Sequence, residues 1–254
     1  MSPLFMVFFA GLLAGAMNAL AGGGSFVSLP ALIAVGVPPV QANASSTVAL
    51  FPGGAASAWA YRDGLGPVGP LTLRWLMIAT LAGGFVGAIL LLCTSSTAFS
   101  FVLPWLLLLA CLALAFGRRL GEALRGRGHL SGAVALTVQF GLGIYGGYFG
   151  GAVGIMMMAV WSLIDSRDFK RLNAPRTLLV STANVCAVLT FVIARAVYWH
   201  ETLVMLVAAI VGGYGGALIG RRIPPKVTRA GTLLVTLCIT LVFFVRAYAP
   251  SVRL

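Results

Sequence analysis

Hydrophobic and small residues run without a charge from Met1 to Tyr61, and the first charged side chain is Arg62. A second uncharged run extends from Trp75 to Gly117. Each run exceeds the roughly 20 apolar residues that one helical crossing of a bilayer needs. Bounding the apolar stretches by glycine, proline and charge predicts helical segments near 3–36, 41–61, 74–92, 99–117, 131–164, 174–194, 202–220 and 229–247. Segments 3–36 and 131–164 are too long for single crossings. The first holds Gly22, Gly23 and Gly24; the second holds Gly146, Gly147, Gly150, Gly151 and Gly154. Glycine is costly inside a helix, so both clusters are expected to break it.

The chain also matches itself at a constant offset of 130 residues. Gly11, Gly24, Asn43, Ala44 and Thr47 correspond to Gly141, Gly154, Asn173, Ala174 and Thr177. Thr72, Leu73, Leu76, Ala79 and Gly83 correspond to Thr202, Leu203, Leu206, Ala209 and Gly213. An internal duplication follows, with one repeat over about 3–117 and the other over about 131–247 of a single membrane domain, 1–254.

Basic residues choose between two topologies, because cytoplasmic loops of membrane proteins are enriched in Lys and Arg. If all eight segments cross, the Lys and Arg residues divide 8 against 9, with no preference. If segments 3–36 and 131–164 are each a helix, a glycine break and a second helix that returns, the division becomes 14 against 3. Arg62, Arg74, the arginines of 118–127, Arg167, Lys170, Arg171, Arg176, Arg221, Arg222, Lys226 and Arg229 then share one side, and Arg195, Arg246 and Arg253 the other. The re-entrant arrangement is therefore expected, with inverted halves and both termini non-cytoplasmic.

Composition agrees with a bilayer as solvent. Hydrophobic residues make up 60% of the chain and charged residues 9%, and the mean hydropathy is +1.02. Soluble domains carry about 25% charged residues, so soluble folding is excluded. The net charge of +12 is spread over short links rather than along one soluble face, which argues against nucleic acid as a partner. Met1 to Phe9 has no basic start, so a cleaved signal peptide is not expected. Cys93, Cys111, Cys186 and Cys238 sit singly in apolar runs and are expected to be packing residues.

Broken helices survive at membrane depth only against protein or a wet cavity, so the glycine breaks mark the candidate site. A helix that starts after such a break points free N–H groups at the cavity, which suits an anion. Gly22, Gly23, Gly24 and Ser25 are the candidates at the first break, and Gly151 and Gly154 at the second. Asn43, Ser46 and Thr47, matched by Asn173, Arg176 and Thr177, supply amide, hydroxyl and guanidinium donors, with Asn and Thr at i and i+4 on one helical face. The competing role for these residues is helix packing and interhelical hydrogen bonding. Catalysis and metal binding are not expected: His129, His200, Asp63, Glu122, Asp165, Asp168 and Glu201 fall at segment ends without ligand or relay spacing, and no cofactor motif occurs.

The blocks GLLAGAMNALAGGGSFVSLPAL (Gly11 to Leu32), QANASSTVAL (Gln41 to Leu50) and GLGIYGGYFGGAVGIMMM (Gly141 to Met158) resemble the TauE/SafE family of sulfite and organosulfonate exporters over nearly the whole chain. Ala152 and Val153 stand where that family's second block has two glycines, and no proline follows. The resemblance implies multi-pass export of small sulfur-containing or related organic anions at the inner membrane. The expectation is an all-α polytopic membrane protein of two homologous halves of about four helices each. Its partners would be the lipid bilayer and a small anionic solute, with a second copy in a homo-oligomer left open. A non-transporting membrane subunit that scaffolds a partner protein is the alternative.

Overall fold

The computed structural model describes residues 2–124, 131–165, 169–220 and 225–248. Among these the chain is helical apart from its links and one isolated β-bridge between Val68 and Leu71. The helices are α1 (Pro3–Ala21), α2 (Ser25–Ala34), α3 (Pro39–Ala60), α4 (Leu73–Cys93), α5 (Ser96–Leu124), α6 (Gly132–Tyr148), α7 (Val153–Trp161), α8 (Phe169–Ile193), α9 (Trp199–Gly220) and α10 (Pro225–Tyr248). A 3₁₀ turn, Arg62–Gly64, follows α3. Arg125, Arg127, His129, Arg167, Asp168, Arg221, Arg222 and Arg253 lie outside the described residues.

Among the described residues, six helices are long and apolar enough to cross a membrane: α1, α4, α5, α8, α9 and α10. Helix α3 has the length, at 22 residues, but Gln41, Asn43, Ser45, Ser46 and Thr47 make its first half polar. Helices α2 and α7 have 10 and 9 residues. At 1.5 Å per residue they reach about 15 Å, half of a hydrocarbon core of about 30 Å.

Both expected breaks are present. Helix α1 stops at Gly22, whose φ of 73° closes the last turn with its amide on the Asn18 carbonyl at 3.0 Å. Helix α6 stops at Tyr148, and the chain turns through Gly150 at φ 79° and Ala152 at φ 58°. The second break is narrower than expected, because Gly146 and Gly147 stay inside α6. Gly22 and Ala152 stand 130 positions apart and share the left-handed conformation. Glycine adopts it freely, whereas alanine pays about 1–2 kcal/mol.

Packing explains the glycines that remain helical. Helix α1 lies along α9, and α4 lies along α6, each pair in closer association than any other. A Cβ on Gly15 would overlap the Ala209 carbonyl, and one on Gly212 would overlap the Leu12 carbonyl. In the other pair, a Cβ on Gly87 would overlap the Ile144 carbonyl and one on Gly147 the Gly84 carbonyl. Small residues are what allow two backbones to approach this closely where no hydrophobic effect drives association. Helix α3 packs against α8 and α9, α8 against α4, and α5 against α10 and α7. A buried polar ladder fastens α7 to the α4–α6 pair: Trp161 Nε1 donates to Gln139 Oε1 at 3.0 Å, and Gln139 Nε2 donates to Thr80 Oγ1 at 2.8 Å.

Two helix bounds lie farthest from expectation. Helix α8 begins at Phe169 rather than near 174, carrying Pro175 within it. Proline has no N–H, so the Arg171 carbonyl lacks its i+4 donor there. Helix α5 continues to Leu124, beyond the apolar run.

Candidate functional site

Gly22 is exposed and a Cβ there would meet nothing within 4 Å, so its requirement is conformational. Gly24, at the start of α2, is sterically required instead. A Cβ on it would lie 2.6 Å from the Ala14 carbonyl oxygen and 3.1 Å from Leu50. Gly23 is looser, with the Thr232 methyl 3.3 Å from where a Cβ would stand. Ser25 opens α2 and is half-buried. One turn on, the buried Ser28 and Ser46 hydroxyls share a hydrogen bond of 2.6 Å, tying α2 to α3.

Three residues before Ser46, the buried Asn43 donates from Nδ2 to the carbonyl of Tyr148 at 2.8 Å. Tyr148 is the last residue of α6, so this carbonyl is one the helix itself cannot pair. Lipid cannot pair it either. One turn of α3 therefore touches both broken regions: Asn43 holds the end of α6, and Ser46 holds α2.

At the second break, a Cβ on Gly151 would overlap the Phe149 ring. Gly154, in the first turn of α7, has the Arg176 Cδ 3.3 Å and Val180 Cγ2 3.2 Å from where its Cβ would stand. The aliphatic stem of Arg176 thus lies across the start of α7. Among the described residues no carboxylate comes within ion-pairing distance of its guanidinium. Asn173 is half-buried one turn earlier on α8. Thr47 and Thr177 donate their hydroxyls to the carbonyls of Asn43 and Asn173, at 2.9 and 2.8 Å. Their protons are engaged within their own helices, and their oxygens are left to accept.

Across the two broken regions the donors are the opening turns of α2 and α7, two amides and one guanidinium; the serine pair adds none, because the Ser28 hydroxyl also reaches the Gly24 carbonyl at 3.2 Å and both serine protons are engaged. A small oxyanion is the ligand such a set suits. Sequence reasoning overlooked Asn184, whose Oδ1 lies 3.8 Å from a Cβ position on Gly150, and Gln139, the centre of the buried ladder. The available signal was a carboxamide in the middle of an apolar run, which a membrane helix carries only at a cost.

Comparison with known proteins gives a consistent result. The family model described as "Sulfite exporter TauE/SafE" matches residues 7–243. A relative from Escherichia coli strain K12, named "Probable membrane transporter protein YfcA", is 30% identical over 226 residues, covering 87% of this chain and 81% of the relative. A Haemophilus influenzae relative, named "Probable membrane transporter protein", is 27% identical over 214 residues, 84% of each chain. A Sinorhizobium relative, "Probable membrane transporter protein ORF9", is 27% identical over 221 residues, 86% of this chain and 82% of the relative. No solved structure matches.

Proposed function

The chain belongs to the TauE/SafE family, a family of multi-pass membrane transporters, and from that premise we propose that it is a secondary permease exporting sulfite, a sulfonate or a related small organic anion across the inner membrane. The observation that carries this reading is the single turn of α3 that joins the two breaks, through Asn43 to Tyr148 and Ser46 to Ser28, with Arg176 crossing the start of α7. The anion is held by Gly22, Gly23, Gly24 and Ser25 on one side and by Gly151, Gly154, Asn173 and Arg176 on the other. Asn43, Ser46, Thr47 and Thr177 line the space between.

Alternating access comes from two inverted halves, α1–α5 and α6–α10, that rock about this site. Two observations support the halves. Exchanging them carries the α1–α9 pair onto α6–α4, and Gly22 and Ala152 turn the chain in the same left-handed way at the 130-residue offset. The termini are on the non-cytoplasmic side, a reading that cytoplasmic labelling of a cysteine at Pro38 would overturn.

Flux of labelled sulfite, sulfonates and carboxylates into proteoliposomes, with and without a proton gradient, tests the function. Gly23→Val and Asn173→Ala are expected to abolish flux while the protein still inserts. Unchanged flux in both variants would remove the site.

A further inference from the structure

We propose that Asn18 and Asn184, one beside each break, are further anion-binding residues that hold the solute through their side-chain amides; this rests on the reading of the chain as an anion carrier.

A carboxamide inside a membrane protein needs a partner, because hydrocarbon supplies none. Asn43 has one in the Tyr148 carbonyl, and Gln139 has Thr80 and Trp161. The Asn18 and Asn184 amides make no hydrogen bond among the described residues, and neither is sealed from solvent as the Gln41 oxygen is. Both residues are half-buried, and Asn184 stands well inside the apolar span Arg171–Ile193. Helical periodicity shows that their open side does not look at lipid. On α1, Asn18 continues the face of Val7, Gly11 and Ala14, all buried, while Phe9 and Leu13 on the opposite face are exposed. On α8, Asn184 continues the face of Asn173 and Thr177 and is followed there by the fully buried Phe191; Leu189 and Ile193 are the exposed residues of the other face. An unpaired amide on an inward face is one that water or a polar solute pairs.

Each amide is set against a break. A Cβ on Gly24 would lie 2.9 Å from the Asn18 Cβ, and one on Gly150 would lie 3.8 Å from Asn184 Oδ1. The turn of α3 that ties Ser46 to Ser28 and Asn43 to Tyr148 links the two positions. A carboxamide offers two N–H donors and no charge, so it recognises an oxyanion without holding it as an ion pair would. With no partner fixing either amide plane, the donors are free to turn toward the solute. Asn18 belongs to the first half of the chain and Asn184 to the second, so one bound anion bridges the two halves that rock about it.

Kinetics and stability together test the pair, because an amide unpaired in the fold can be removed without loss of a structural hydrogen bond. In proteoliposomes Asn18→Ala and Asn184→Ala are each expected to raise the KM for sulfite about tenfold, the loss of one hydrogen bond to a charged group, while the Tm in detergent stays at the wild-type value. The near-isosteric Asn18→Asp and Asn184→Asp place a carboxylate against the anion and should abolish flux. An unchanged KM in both alanine variants, or a Tm that falls along with the rise in KM, would overturn the proposal. The second measurement needs no transport. With Cys93, Cys111, Cys186 and Cys238 replaced by alanine, Asn18→Cys and Asn184→Cys in lipid nanodiscs should react with a water-soluble maleimide, and saturating methanesulfonate should slow both reactions. If the wild-type chain moves none of the anions, the carrier reading falls and this protection alone decides the binding site; cysteines that do not label, or that label equally fast with methanesulfonate present, would overturn it.

Discussion

Asn43 and Tyr148 are 105 positions apart in sequence, yet the Asn43 amide closes on the Tyr148 carbonyl at 2.8 Å. The bond gives the end of a broken membrane helix the partner that lipid withholds. Replacing Asn43 by leucine or by alanine removes the donor in both cases and leaves a buried carbonyl unpaired. We expect a loss of about 1–3 kcal/mol for either variant, read as a lowered Tm in detergent. A result in which alanine is tolerated and leucine is not would show that side-chain volume, not donation, matters there.

Ala152 occupies a conformation that glycine takes without strain. Ala152→Gly is expected to raise stability by about 1 kcal/mol. The reciprocal change, Gly22→Ala, should lower it by a similar amount even though its Cβ meets no atom within 4 Å. Thermal unfolding of both variants side by side checks the pair.

The glycines between paired helices behave differently from those at the breaks. Gly147→Leu and Gly212→Leu push a side chain into the Gly84 and Leu12 carbonyls, and each should separate its helix pair and abolish the monodisperse peak on size exclusion. Gly141→Leu is the control, since a Cβ there meets nothing within 4 Å. Its elution profile should match the wild type.

Gln139 is 1% exposed and bridges Trp161 to Thr80. Gln139→Leu strands the Trp161 N–H, and a cost of about 2 kcal/mol is expected. Because α7 is fastened to α4 and α6 through this ladder, tryptophan fluorescence should report the release of α7 before global unfolding.

Arg176 tests the site by chemistry rather than by fold. Its guanidinium can grip an oxyanion at two points, and lysine cannot. Arg176→Lys is expected to keep the protein folded and to raise the KM for sulfite roughly tenfold, whereas Arg176→Gln should abolish flux in proteoliposomes. Equal kinetics in wild type and Arg176→Lys would argue that the residue acts only as a membrane-surface anchor.

The breaks were legible because glycine clusters sit inside apolar runs too long for one crossing, and both occur where that pattern put them. The extent of the second break was not legible. Gly146 and Gly147 are as glycine-rich as the turn that follows, yet both stay helical, and Gly147 does so in close contact with the Gly84 backbone of α4. Asn43 was legible as a polar residue in an apolar chain, but its partner was not. A carbonyl has no sequence signal, and the 105-residue separation hides which helix end it serves.

Sequence alone determined that this is a multi-pass helical membrane protein of the TauE/SafE family, since hydropathy is a local property that a bilayer reads segment by segment. It also determined where the helices fail, because glycine's backbone freedom is intrinsic. Tertiary structure decided which glycines are hinges and which are contact surfaces. It decided that α3 joins both breaks and that Arg176 lies over α7. Those outcomes depend on which backbones approach within a few ångströms, and that is settled only when all the helices pack together.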